Sequence, residues 1–283
     1  MNKVLRTVWK EFGGYFPVTA TKIAYSRTKG KRLNLRDPKL FDEKMEYLKL
    51  YQYADDPLVI KWADKYAVRE YVESKGLGHT LNVLYGVWDD PDEIPFYSFS
   101  NEFVLKCTHG CHMNIVCTDK TKFDKEKAIK ELKIWQHEKQ WKEQQELHYK
   151  HIRPRIICEK YLKPQNGTLP PDFKIYCFNG EPKLVLIITD REHEMELTFR
   201  DLDWNLLGIG NRKVNTSITR PTCFDEMLRC SRVLSAGIPF VRMDFYDFDG
   251  KPIFGEMTFT PAGCNADYYT EEGQKMLGNM LSI

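Results

Sequence analysis

The chain has 283 residues, 42% of them hydrophobic, 13% aromatic and 29% charged, which suits one large domain or two lobes around a sizeable core. A formal net charge of +2 offers no electrostatic reason to expect nucleic acid or a membrane surface as partner. No run approaches the roughly 20 apolar residues of a membrane span, and Met1–Phe16, with Lys3, Arg6, Lys10 and Glu11, lacks the apolar stretch of a signal peptide.

Residues 1–60 read as polar and helical, with a helix starting after Asp37-Pro38 on the spacing of Phe41, Met45, Leu48 and Leu50. The basic stretch Arg27–Arg32 reads as a loop, either solvated or in contact with a phosphate or acidic glycan. Lys61–Ser74 predicts an amphipathic helix closed by Gly76 and Gly78. Thr80–Trp88 and Glu102–Cys107 predict strands, the second with Lys106 near its end. It runs through the polar loop Thr108–Asn114 into a strand at Ile115–Cys117. Such a loop can close backbone amides over phosphates, or be an ordinary hairpin.

Phe123–Lys150 predicts one long charged helix with Ala128, Leu132 and Trp135 as its buried stripe. Glu126/Lys130, Glu138/Lys142 and Glu146/Lys150 stand at the spacing of stabilising pairs. Arg155–Leu162 holds a buried strand leading to Glu159, followed by a loop with Pro164, Gly167, Pro170 and Pro171. That loop carries a sequon at Asn166, which matters only in a secreted chain. A hairpin follows: Asp172–Phe178, an Asn179-Gly180 turn, and Lys183–Arg191. Alternation places Asp172, Lys174 and Tyr176 on one face.

Asp201-Leu-Asp203 is a triplet of the kind that holds a cation in nucleotide-sugar transferases, and is weak evidence alone. Phe224–Ala236 predicts a helix, and the last twenty-odd residues end helically. The eight cysteines sit mostly in apolar runs, as free buried thiols of a cytosolic protein do. Cys107, His109, Cys111 and His112 crowd together, but the second half of a zinc ligand set is missing.

The stretch Phe240–Pro261 reads as a second hairpin about Asp249-Gly250. One face gathers Val241, Met243, Phe245, Ile253, Met257 and Phe259; the other gathers Arg242, Asp244, Glu256 and Thr258. A two-residue turn would pair Asp244 with Gly255. Because Pro252 lacks an N–H, an odd-length loop is expected instead, which sets Asp244 opposite Glu256 and Arg242 opposite Thr258. Facing carboxylates repel by roughly 0.2–1 kcal/mol. A hard cation such as Mg²⁺ removes that cost and an arginine beside it can hold phosphate; a solvated surface network is the alternative.

The motifs Asp64-Lys-Tyr-Ala-Val-Arg69, Phe103-Val-Leu-Lys106, Asp172-Phe-Lys174, Cys177-Phe-Asn-Gly180 and Phe254-Gly-Glu-Met-Thr-Phe-Thr260, in this order, resemble the TupA-like ATP-grasp family of cell-surface polysaccharide enzymes. The resemblance covers about residues 40–265. It implies an α+β fold in which two lobes with antiparallel sheets grip ATP in a cleft between them. A helical segment 1–60 would precede one lobe at 61–157 and the other at 158–283.

By the resemblance, Lys106 reaches the α- and β-phosphates, and the loop with His109, Gly110, His112 and Asn114 covers them. Glu159, with Lys160, Tyr161 and Leu162, holds adenine and ribose. Lys174 and Arg191 face the transferred phosphate, Arg242 stabilises the transition state, and Asp244 and Glu256 bind magnesium. Thr258 stands where the family usually has an asparagine ligand. The implied activity is an ADP-forming carboxylate–amine ligase acting on small-molecule or glycan substrates in the cytoplasm, with ATP and Mg²⁺. A sugar kinase on the same site, a glycosyltransferase using Asp201 and Asp203, and a non-catalytic ATP-binding protein are alternatives. The oligomeric state stays open.

Overall fold

In the computed structural model, residues 3–163, 171–190 and 193–283 are described. The sequon, most of its loop and Arg191 lie outside them. The N-terminal sixty residues are helical, as their composition predicts: α1 (Lys3–Tyr15), α2 (Pro17–Lys29), α3 (Phe41–Tyr47) and the start of α4 (Pro57–Ala63). The expected basic loop at 27–32 is half helix, because α2 runs on to a left-handed Gly30. Two of its charges are structurally engaged: Lys29 reaches Asp42 at 2.5 Å and the Ala266 carbonyl, and Arg27 covers the Trp9 ring.

The predicted helix over 61–74 is two, α4 and α5 (Val68–Ser74). Asp64 breaks it by accepting the N–H groups of Tyr66 and Ala67 at 2.8 and 3.1 Å, and its other oxygen meets Arg155 at 2.7 Å. Burial takes α5, which the sequence reading places within 61–157, into the core of the larger sheet. Phe41, Met45, Leu48, Tyr53, Val59, Val68 and Val72 all join the core of the larger sheet.

That sheet has five antiparallel strands in the order β7-β6-β5-β8-β9: β5 (Asp172–Phe178), β6 (Glu181–Thr189), β7 (Glu196–Asp201), β8 (Phe240–Phe248) and β9 (Lys251–Thr258). One face packs on α8 (Phe224–Ser235). The opposite face is covered at one end by Phe41, which packs on Tyr176, Phe178 and Phe240. Tyr53 straps the start of β8 by donating to the Phe240 carbonyl at 2.8 Å.

The β8–β9 register sets Asp244 opposite Glu256 and Arg242 opposite Thr258, by a route other than the expected loop. Asp249 and Gly250, at φ 54° and 73°, make a two-residue turn that pairs Phe248 with Lys251. A bulge then inserts Gly255 between the pairs Phe245–Phe254 and Asp244–Glu256. The bulge reverses side-chain parity, so Phe254 rather than Ile253 shares the buried face with Phe245. Pro252 is accommodated opposite Asp247.

The smaller sheet has the order β1-β4-β2-β3: β1 (Leu84–Trp88), β2 (Phe103–Cys107), β3 (Asn114–Cys117) and β4 (Ile156–Lys160). The expected lobe boundary at 157/158 therefore falls inside β4. The long helix predicted over 123–150 is also interrupted. It comprises α6 (Lys125–Gln136), a short α7 (Trp141–Gln144) and a turn of tighter helix at Leu147–His151. Its charged residues are drawn into tertiary contacts instead of pairing along one helix. Glu138 and Glu143 meet Lys10, Lys142 meets Glu11, and Glu146 accepts from Thr260. A last helix, α9 (Glu271–Met280), packs on α3.

His148 is fully buried with neither ring nitrogen hydrogen-bonded, and burial beside Lys49 pushes its pKa down to about 3. The unfolded chain takes up this proton near pH 6.5, while the fold refuses it until about 3. Stability from this group is therefore lost as pH falls through that window, by up to about 1.4 kcal/mol per pH unit. Asp42 and Glu46, raised by burial to about 6 and about 7, act with the opposite sign. Denaturant unfolding between pH 7 and 4 should show a shallower loss for His148→Leu than for wild type; equal slopes would assign the acid sensitivity elsewhere.

Candidate active site

The charged face of the larger sheet is a grid set by strand register. One row across the strands is Lys174, Asp244, Glu256; the next is Tyr176, Arg242, Thr258. Asp172 shares the face with Lys174 on β5. Lys174 Nζ lies 2.5 Å from Asp244 and 2.6 Å from Asp172. Arg242 grips both Asp244 oxygens at 2.7 Å, a bidentate pair, and its guanidinium also donates to Thr258 Oγ1 at 3.2 Å. Thr258 donates in turn to Glu256 at 2.9 Å. Asp244, Lys174 and Arg242 are all buried.

Glu256 remains 35% exposed at the side chain, on the cleft side of the row, with Lys65 Nζ 3.6 Å away. Burial would raise its carboxyl, but Lys65, Lys174 and Arg242, with the Thr258 hydroxyl, hold it down to about 2. It is therefore an anion throughout the neutral range. Burial pushes the Asp244 carboxyl upward, against Arg242 and Lys174.

From the smaller sheet, Lys106 on β2 and Glu159 on β4 stand diagonally on one face and pair at 2.8 Å. Arg69 of α5 reaches the other Glu159 oxygen at 3.2 Å. The loop between β2 and β3 is held at Cys111, whose N–H donates to the Gln140 side-chain oxygen at 2.9 Å. Its carbonyl accepts from the Gln140 amide at 3.0 Å. Lys65 donates to the Gly110 carbonyl at 2.6 Å.

Two cavities meet under this loop. One, of ≈ 300 Å³, is lined from both sheets by Lys65, Lys106, Asn114, Glu159, Lys174 and Glu256, among others. The second, of ≈ 330 Å³, is lined by Gln144, Glu146, Tyr149, Arg242, Thr260 and Gly263, among others. Gly110, Cys111, His112, Lys174 and Glu256 border both.

The structure thus brings together Lys106, Gly110, His112, Asn114, Glu159, Lys174, Arg242, Asp244, Glu256 and Thr258. It does not bring His109, which is buried with its ring against the Trp135 carbonyl at 3.1 Å. Lys160 is exposed, and Tyr161 and Leu162 are partly exposed where the chain leaves β4. Among the described residues, Cys107, His109, Cys111 and His112 form no metal-ligand cluster. The cysteines are all free and, except for Cys111, buried. Asp201 is engaged at the end of β7, accepting from the Asn205 backbone and side chain at 2.8 and 2.9 Å. The structure gives the transferase reading no support there.

Lys65, Arg69, Asp172 and Gln140 belong to the site although no role was assigned to them from sequence. Lys65 and Arg69 lie within the Asp64–Arg69 motif, so the signal was present. Gln140 carried none, since it sits in a segment that reads as helix.

Three carboxylates, a threonine hydroxyl and the surrounding lysines and arginine suit a hard cation and a polyphosphate together, since Mg²⁺ takes one or two carboxylates and shares phosphate oxygens. Two antiparallel sheets with such groups between them define the ATP-grasp class. The family model described as TupA-like ATPgrasp matches residues 43–282. The chain belongs to that family.

No curated protein matches the chain in sequence. Among solved structures, D-alanine–D-alanine ligase from Bacillus anthracis complexed with ATP is similar at 14% identity and TM-score 0.40, over 70% of this chain and 54% of that one. The corresponding ligase from Helicobacter pylori gives 13% and 0.49, over 86% and 69%. D-cycloserine synthetase DcsG gives 15% and 0.43, over 81% and 72%. The chain spans little more than half the length of the B. anthracis ligase.

Two substitutions separate the roles in the grid. Asp244→Asn leaves Arg242 without its buried anionic partner, while Lys174 keeps Asp172, and should cost about 3–5 kcal/mol in urea unfolding. Glu256→Gln, on the open side, should lower the unfolding midpoint less than Asp244→Asn does, while lowering Mg-ATP turnover by about 100-fold or more. Near-normal turnover in Glu256→Gln would remove it from the metal site.

Proposed function

We propose that the chain is an ADP-forming, Mg²⁺-dependent carboxylate–amine ligase that modifies a precursor of a cell-surface polysaccharide in the cytoplasm. The observation that carries the reading is the pair of adjoining cavities whose shared border is Lys174, Glu256 and the Gly110–His112 loop. A ligase of this kind needs two compartments meeting at the transferred phosphate: one for nucleotide, one where the carboxylate acceptor meets the amine. Family membership supports the nucleotide assignment, and the family resemblance is the basis for the polysaccharide acceptor.

In this reading Lys106 and Lys65 hold the phosphates of ATP under the loop, and Glu159, Lys160, Tyr161 and Leu162 lie along the nucleotide's path. Asp244, Glu256 and Thr258 would hold magnesium, which when bound neutralises charge on the phosphates. Lys174 and Arg242 face the oxygen that receives the phosphoryl group; the role that the resemblance implies for Arg191 falls outside the described residues. The protein contributes positioning and charge neutralisation, the main needs of phosphoryl transfer. No side-chain nucleophile is required. An amine then displaces phosphate from the acyl phosphate to give the amide.

The reading predicts ADP release that depends on a carboxylate and an amine together. Mass spectrometry should find an amide product one water lighter than the sum of the two substrates. A product that keeps the phosphate would make the protein a kinase. Absence of ADP release across a panel of uronates, amino acids and amines, in a protein that binds Mg-ATP, would end the ligase assignment.

A further inference from the structure

We infer that the second cavity seats a cationic amine, with Glu146 as the residue that holds its ammonium group and accepts its proton. The inference rests on the ligase reading above and adds the nucleophile's site to it. Its basis is a contrast among carboxylates. Around the two cavities, Glu159 is met by Lys106 and Arg69, Asp172 by Lys174, Asp244 by Lys174 and Arg242, and Glu256 by Lys65. Among the described residues, Glu146 faces the second cavity with a neutral hydrogen-bond partner and no ion pair: the Thr260 hydroxyl donates to Oε1 at 2.6 Å.

The nearby cation cannot serve it. Lys49 is buried and committed to Glu46 at 2.6 Å and to the Gln144 and Gly263 carbonyls, each at 2.8 Å. Those carbonyls belong to residues that line the same cavity, so Lys49 fixes the cavity's shape and acts on Glu146 only through space, without an ion pair. The other groups around Glu146 are Tyr149, which also lines the cavity, and Glu256 and Lys65 across it. Burial and Glu256 raise the Glu146 carboxyl, against Thr260, Lys49 and Lys65, which favours proton acceptance from a bound ammonium. A half-buried carboxylate that faces a small cavity without an ion-pair partner selects a positively charged ligand. The volume of ≈ 330 Å³ suits an amino acid or a comparable small amine.

The step balances as follows. Glu146 takes one proton from the ammonium, leaving a neutral amine with a free electron pair. Its nitrogen bonds to the carbonyl carbon of the acyl phosphate, and the carbon–oxygen bond to phosphate breaks. The second proton lost from nitrogen leaves with inorganic phosphate.

Hydroxylamine separates this role from the ligase reading itself, because it is uncharged at neutral pH and needs no base. With Mg-ATP and a panel of uronates and amino acids, wild type and Glu146→Gln should form hydroxamate equally. Amide formation with an added amine should fall about 100-fold or more in Glu146→Gln. Glu146→Asp, which keeps the charge, should recover part of it. A thermal-shift arm uses free amino acids against their N-acetyl derivatives: wild type should be stabilised by a free amine only, and Glu146→Gln by neither. Undiminished amide formation or amine binding in Glu146→Gln overturns the proposal. Hydroxamate from no carboxylate, even with wild type, overturns the ligase reading, and the thermal-shift arm then decides Glu146 alone.

Discussion

Asp244 is the fixed point of the structure. It sits on an inner strand of a five-stranded sheet, buried, with its two oxygens taken by the guanidinium of Arg242 and one also by the ammonium of Lys174. Ions so far from water are tolerated only when geometry satisfies them, because the desolvation cost is several kcal/mol each. The sheet supplies that geometry through register: three neighbouring strands put Lys174, Asp244 and Glu256 side by side. Every other contact in the site is referred to this row. Glu256 projects from its open end, and the smaller sheet faces it with Lys106 and the loop from Gly110 to Asn114.

The placement of that row was legible from the chain, though not for the reason the chain suggested. Alternation identified the polar residues correctly, and the Asp-Gly turn was visible. What periodicity cannot show is an inserted residue. Gly255 breaks the count, so a two-residue turn and the Asp244–Glu256 pair coexist where simple alternation makes them exclusive. The same parity change moves Phe254 inward and Ile253 outward. Bulges depend on how a strand must bend to meet its neighbours, which is tertiary information.

A second limit appears between Phe123 and Lys150. Helical spacing and paired charges read as one helix, yet the segment breaks after Gln136 and turns twice before β4. Intrahelical ion pairs are worth only roughly 0.2–0.5 kcal/mol, and better partners lie elsewhere. Lys10, Glu11 and Thr260 take over Glu138, Glu143, Lys142 and Glu146. The first two helices therefore act as a brace for the segment that walls the second cavity. Gln145, next to Glu146, is buried against them, with its oxygen 3.5 Å from the Thr21 hydroxyl. Residues with no legible role at the start of the chain are thereby tied to the shape of a cavity built more than a hundred positions later.

The ion pairs of the cleft also bear on how charged ligands could enter it. Lys106 pairs with Glu159, Lys174 with Asp172 and Asp244, and Lys65 lies near Glu256. Each set neutralises the other without ligand. A polyphosphate carrying a divalent cation brings the same two charges in the same order: anionic oxygens for the lysines, a cation for the carboxylates. Binding then exchanges internal partners for external ones, so these paired charges need not be left buried alone, a condition that makes a densely charged cleft compatible with a stable fold. The exchange needs groups free to let go, and exposure ranks them. Lys106 and Glu256 keep about a third of their side-chain surface in solvent, whereas Asp244 keeps 4%. The outer pairs can open first, and Asp244 would share in holding magnesium only by releasing one of its two cations, so a single row of residues serves as both scaffold and site.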